Sequence, residues 1–160
     1  MTLRILSSVM TKPYRMAALI SVLALSATSA NAAASCWNKE CDGKDSGVQG
    51  CRDGSQFNGA TATIKSSSGS VWGHVDLVYS ADCGAAWAYV ASAIGTVSSI
   101  SANIWRSATI AVPIASCTDC SVRRSEMLGD AGTEKCQAWG EIDIKVLGAT
   151  FEARAQTSWF

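Results

Sequence analysis

Histidine and proline are nearly missing from this chain. His74 is the lone histidine, and Pro13 and Pro113 are the two prolines. A single imidazole excludes the helical H-E-x-x-H zinc motif, and no Walker loop or glycine-rich dinucleotide fingerprint is present. No serine sits in a G-x-S-x-G elbow. Charged residues make up 16 % of the chain, with no basic run. Nucleic acid and anionic membranes are thereby excluded as partners, since both need a basic patch. No segment holds a helical period and none repeats another. After residue 32 no apolar run is long enough to span a bilayer core of roughly 30 Å. No cofactor is implied.

What is present starts with a leader. Arg4, Lys12 and Arg15 form a positive n-region, Ala17 to Leu25 a short apolar stretch, and Ala30-Asn31-Ala32 an A-x-A cleavage signal. This predicts a signal peptide over residues 1–32 and a single secreted domain over 33–160. Ala33-Ala34-Ser35 before Cys36 lacks the aliphatic residue of a lipobox. Without the leader's three basic residues, ten remain against thirteen acidic ones, a net charge near −3.

All seven cysteines lie beyond the predicted cleavage point: Cys36, Cys41, Cys51, Cys83, Cys117, Cys120 and Cys136. Export together with this density reads as a disulfide framework. Seven is odd, so one thiol is left over or pairs between chains. Spacing does not choose among the pairings. Cys36 to Cys51 is too rich in glycine and aspartate to fold by burial. It reads as a strap held onto the body by Cys51 or Cys41 bridged to the Cys83 turn.

That body is patterned in short alternating segments, the mark of strands. Ala60 to Lys65, Val71 to Ser80, Trp87 to Ser92, Ser98 to Arg106 and Ala108 to Ile114 are expected strands, with Pro113 placing the last at an edge. Ser116 to Lys135 is polar and reads as a long irregular loop. Gln137 to Val146, the Leu147-Gly148 turn and Thr150 to Trp159 form a terminal hairpin. Phe151, Ala153, Ala155 and Trp159 are expected to point inward. The fold class is all-β, a small antiparallel β-barrel or sandwich with a disulfide-tied N-terminal segment.

Several of these segments together resemble the YjfA-like family of secreted bacterial proteins, whose domain has no known function. The resemblance rests on Cys41-Asp42-Gly43-Lys44-Asp45, Gly50-Cys51, the strand Val75 to Ser80, Cys83-Gly84, Trp87 and Ile104-Trp105-Arg106. Met127 and Cys136 to Ile142 extend it more loosely. Ser46 stands where that family has proline, and Val78 where it has a basic residue. Cys117, Cys120 and the last eighteen residues are additions to its pattern. The resemblance implies a secreted, mainly β domain and supplies no catalytic residues.

Candidate sites follow from residue chemistry. His74 and Asp76 share a strand face, as two members of a Ser-His-Asp triad would, but a solvent-facing histidine is the simpler reading. Cys117-x-x-Cys120 with Cys136 offers three thiols, short of a four-ligand zinc site and outside the βαβ setting of a redox motif. Asp42 and Asp45 are hard ligands suited to Ca²⁺, or turn caps bonding their own backbone. Trp72, Trp105 and Trp139 fall on the polar faces of their strands, where an indole beside carboxylates suits stacking on a sugar ring. A bulge would invert those faces. Trp87 and Trp159 are expected in the core. The expected function is a non-catalytic, secreted binding module for an extracellular glycan or protein. A small secreted hydrolase, a thiol enzyme and a secreted toxin or inhibitor are the alternatives.

Overall fold

The computed structural model describes residues 33–52, 54, 56–107 and 110–160. The expected signal peptide lies outside the described residues. These residues form ten strands: β1 Gln56–Lys65, β2 Val71–Ser80, β3 Ala85–Ser92, β4 Val97–Arg106, β5 Ile110–Ala111, β6 Ala115–Cys120, β7 Val122–Arg124, β8 Leu128–Gly129, β9 Cys136–Val146 and β10 Ala149–Gln156. Sheet A runs β1-β2-β3-β7, with β8 also on β3. Sheet B runs β10-β9-β4-β5, with β6 also on β4. All pairings are antiparallel. The architecture is a two-sheet sandwich.

Period-two patterning explains the core. Ile64, Val75, Leu77, Ala88 and Val90 from sheet A meet Ile100, Ala102, Ile104, Ala138, Ile142 and Ala153 from sheet B, all buried. Each set sits on one side of its strands, because successive side chains point to opposite faces. The sheets approach closely at Gly140, where an added Cβ would lie 2.6 Å from Val90 and 3.0 Å from Val75. A side chain there would push the layers apart.

The outer face of sheet A carries a second layer. Val78, Ala85 and Trp87 point away from the main core and are buried with Cys36, Cys41, Cys51, Cys83 and Met127. The cover is the N-terminal strap, which holds one 3₁₀ turn, Asn38–Cys41. Backbone bonds pin it, from Asn38 to the Cys83 carbonyl (2.8 Å) and reciprocally between Gly43, Lys44 and Met127. Disulfides join Cys51 to Cys83 and Cys36 to Cys41. Of the two attachments expected for the strap, the structure takes Cys51.

The strap is also fixed by charge. Arg106, at the end of β4, is 3 % exposed. Its two terminal nitrogens donate to the two Asp42 carboxylate oxygens, each at 3.2 Å, and one also donates to the Gly129 carbonyl. Asp42 accepts the Gly129 N–H as well, at 2.6 Å, and Glu134 approaches the Arg106 Nε at 3.6 Å. A buried guanidinium needs such partners, because an unpaired buried charge costs several kcal/mol.

Two expectations are corrected. Ser116 to Lys135 is not an irregular loop. It forms most of β6 and all of β7 and β8, and carries Met127 and Leu128 into buried positions. β6 and β7 occupy sheet margins, where alternation of polar and apolar residues is not enforced, so their polarity hid them. The chain passes from sheet B to sheet A here, between β6 and β7, just after the Cys117–Cys120 disulfide within β6. Phe151 shares the inner side of β10 with Ala153 and opposes Ile144, yet it is 52 % exposed, since β10 is the edge strand of sheet B and Phe151 lies beside the β9–β10 turn. Trp159 is not core. The strand ends at Gln156 and Trp159 is 41 % exposed.

The seventh cysteine, Cys136, is buried and unbridged. Burial is the main cause that pushes its thiol up to about 11, with Arg106 pulling the other way. Native protein should therefore resist alkylation by iodoacetamide at pH 8, and one thiol per chain should react in urea; rapid labelling of the native form would refute this burial. Replacing Cys51 and Cys83 together by alanine reopens a loop of 32 residues. Denaturant titration should register a loss of about 3–4 kcal/mol.

Candidate functional site

Functional side chains converge on the outer face of sheet B. Register places them. Asn103 opposes Trp139, Trp105 opposes Gln137, and Ser101 opposes Glu141. On the other side of β9, Gln156 opposes Trp139, Arg154 opposes Glu141 and Glu152 opposes Asp143. Directly opposed residues share a face. Trp105 and Trp139 therefore lie diagonally on one surface, both half-buried, with amides and carboxylates between and around them.

Trp159 completes this surface from beyond β10. Thr157 N–H donates to the Ala138 carbonyl at 2.9 Å, and Phe160 exchanges two backbone bonds with Cys136. Thr157 is buried, and its hydroxyl accepts the Ala138 N–H at 3.1 Å. The last residues are thus laid along β9, and Trp159 is anchored from both sides. Trp105, Trp159, Ser107, Gln137 and Gln156 enclose a shallow pocket of about 220 Å³. Gln137 is oriented by donating to the Thr157 carbonyl at 2.7 Å. Two indoles, two primary amides and a hydroxyl combine apolar plates with donors and acceptors, the chemistry of a pyranose site. Reading Trp159 as core concealed its part in this pocket. The signal that could have revealed it is its place beyond the last alternating residues of β10.

Carboxylates border the indoles. Asp143 accepts the Ser99 hydroxyl at 2.6 Å, and Arg154 pairs with Glu152 at 3.6 Å. Partial burial, then the charges of Asp143 and Glu152, hold Glu141 above its ordinary 4.5, against the pull of Arg154. The charged form of Glu141 is thus disfavoured in the folded state.

The other candidates lie elsewhere. Trp72 is on β2 of sheet A, in a separate groove with Ser66, Ser67, Ser68, Thr150, Phe151 and Glu152. It does not line the pocket of Trp105 and Trp159. Trp87 is buried beneath the strap. His74 Nε2 is 3.5 Å from Asp76. Asp76 also accepts from Thr61 at 2.7 Å and Asn58 at 3.2 Å. No serine is among these partners, so the contacts do not form the Ser-His-Asp arrangement. Asp42 is bound to Arg106 and Gly129, as above. Asp45 accepts from Gly47 N–H (2.8 Å) and Val48 N–H (3.0 Å), the pattern of an Asx turn. The Val48 bond first, then Gly47, Arg52 and Arg124, hold Asp45 below its ordinary 3.8 despite partial burial. The sulfurs of Cys36, Cys41, Cys51 and Cys83 lie within 4.8 Å of one another, but as two disulfides they offer no thiolates to a metal. Cys117 and Cys120 are bridged within β6 at the sheet margin, and Cys136 is not with them.

Glu141 carries a pH signature. A carboxyl raised on folding weakens the native state above its folded pKa, and the penalty disappears below the unfolded value. Glu141→Gln should therefore raise the melting temperature at pH 7 and give no gain below about pH 4. A gain independent of pH would contradict this assignment.

No curated protein and no solved structure matches the chain. A family profile described as "Protein of unknown function (DUF2690)" matches residues 39–139. That span begins within the strap and reaches Trp139 on β9, so it takes in Arg106 with its ion pair, the Cys51–Cys83 bridge, Trp105 and Gln137. It stops short of β10 and the segment that places Trp159. Since the match covers more than half of the sequence, the chain belongs to the DUF2690 family.

Proposed function

We propose that this chain is a secreted, non-catalytic binding module that holds an extracellular glycan, cell-wall glycan foremost, on the outer face of sheet B. The observation that carries the reading is the pocket of Trp105, Trp159, Gln137 and Gln156, extended along the sheet by Trp139. Indole faces stack on the C–H faces of a sugar ring, and the amides take its hydroxyls. The site sits on paired strands, so binding requires little rearrangement. Glu141, Asp143 and Glu152 make the surrounding surface acidic. Neutral or amino sugars fit it, and polyanionic polymers are disfavoured.

The compartment belongs to the same reading. Three disulfides suit an oxidising exterior. No helix among the described residues is long and apolar enough to cross a membrane. The leader-like sequence of residues 1–32 points the same way.

Sedimentation with purified peptidoglycan and titration with its soluble oligosaccharides test the proposal. Wild type should bind. Trp105→Ala and Trp159→Ala should each weaken binding about tenfold, the loss of one stacked ring. Trp139→Ala should weaken it less, and Trp72→Ala not at all. Failure of the wild-type protein to bind any of these glycans would sink the reading.

A further inference from the structure

A second pocket, of about 320 Å³, opens on the outer face of sheet A beside the strap, away from the tryptophan surface. Its floor is Val78, Trp87 and Tyr89. Asp76 lies in it, and Gln56 and Asn58 wall it from β1. Arg52 and Arg124 complete it. A small cavity thus brings two guanidiniums, one nearly buried carboxylate and an apolar floor within the reach of one small molecule.

Each charged group is held in place. Arg124 is directly opposite Tyr89 in the β3–β7 ladder, and its guanidinium lies 4.8 Å from the centre of the Tyr89 ring. Stacking fixes the plane of the guanidinium and leaves its N–H edge free for a bidentate oxyanion. Among the described residues no carboxylate is within ion-pairing distance of it. Arg52 follows the bridged Cys51 and lies flat across Gly47, where any Cβ would strike the guanidinium. Its pairing with Asp45 is long, at 3.4 Å, and at the surface. Asp76 is 6 % exposed and is oriented by Thr61, Asn58 and His74. Those three contacts leave one of roughly four acceptor positions of a carboxylate unused.

We infer that this pocket binds a free α-amino acid with an apolar side chain. The α-carboxylate meets Arg52 and Arg124, the α-ammonium meets Asp76, and the side chain lies on Val78, Trp87 and Tyr89. The opposed charges select the ligand. A simple anion is attracted by the arginines and repelled by Asp76; a simple cation meets the reverse. A dipolar molecule with both charges a few ångströms apart satisfies both walls. The pocket shares no lining residue with the glycan face, and a neutral sugar carries neither charge, so the two sites are independent.

Titration of ¹⁵N-labelled protein with L-phenylalanine and L-leucine, followed by ¹H–¹⁵N NMR, tests the inference. Both should shift the amides of Asp76, Val78, Tyr89 and Arg124 saturably. N-acetyl-L-phenylalanine, lacking the ammonium, and phenethylamine, lacking the carboxylate, should bind at least about tenfold more weakly. Arg124→Gln should weaken L-phenylalanine binding about tenfold with the rest of the spectrum preserved. Arg52→Gln should do the same without touching the sheet, and Trp105→Ala should leave it unchanged. Absence of shifts in this patch with either amino acid, or equal binding of the two truncated analogues, overturns the inference.

Discussion

The buried charge of Arg106 is the constraint around which the rest of this fold is arranged. Its guanidinium sits where β4 ends, out of water. The chain must therefore bring partners to it: Asp42 from the strap, the Gly129 carbonyl from β8 and Glu134 from the approach to β9. Asp42 is far in sequence from the other two, so the ion pair ties the strap to the segment that leads into β9. A bidentate carboxylate also fixes direction, which apolar burial does not. Once Asp42 is seated, Gly43 and Lys44 lie against Met127, and the Cys51 sulfur is carried to Cys83. Disulfide and ion pair thus hold opposite ends of the strap.

The sandwich was legible where burial is one-sided. Val71 to Ser80 matches β2 at both ends, and the alternation of Ile100, Ala102 and Ile104 marks the face that packs. The same signal failed at sheet margins. β6 and β7 have no buried face to enforce a period, so Ser116 to Lys135 read as loop. It failed again past the last strand. Trp159 was assigned inward by counting alternate residues beyond Gln156, where the chain leaves the β10 ladder and parity no longer applies.

Trp105 and Trp139 were placed on the polar side of their strands by sequence, and the register sets them diagonally on one face. What no pattern could supply was their company. Gln137, Gln156 and Trp159 reach Trp105 through pairing between β4, β9 and the C-terminal segment. Arg52, Asp76 and Arg124 come together by another such convergence, between strap, β2 and β7. Asp42 shows the converse. Its D-G-K-D setting suggested a metal, and only the fold reveals that a distant arginine takes both its oxygens.

The order of strands has a consequence for how the chain reaches this state. β1, β2 and β3 are joined by short turns and pair with their sequence neighbours. Sheet B is different, because β4 and β9, its two central strands, are separated by everything from β5 to β8. Closing that pair costs chain entropy before any contact repays it. A meander of β1, β2 and β3 can assemble early, but its inner face then waits, exposed, for β9 to arrive. The interval is a window of risk for intermolecular strand pairing. The Cys117–Cys120 link lies inside the waiting segment and constrains the end of β6, just before the chain returns to sheet A.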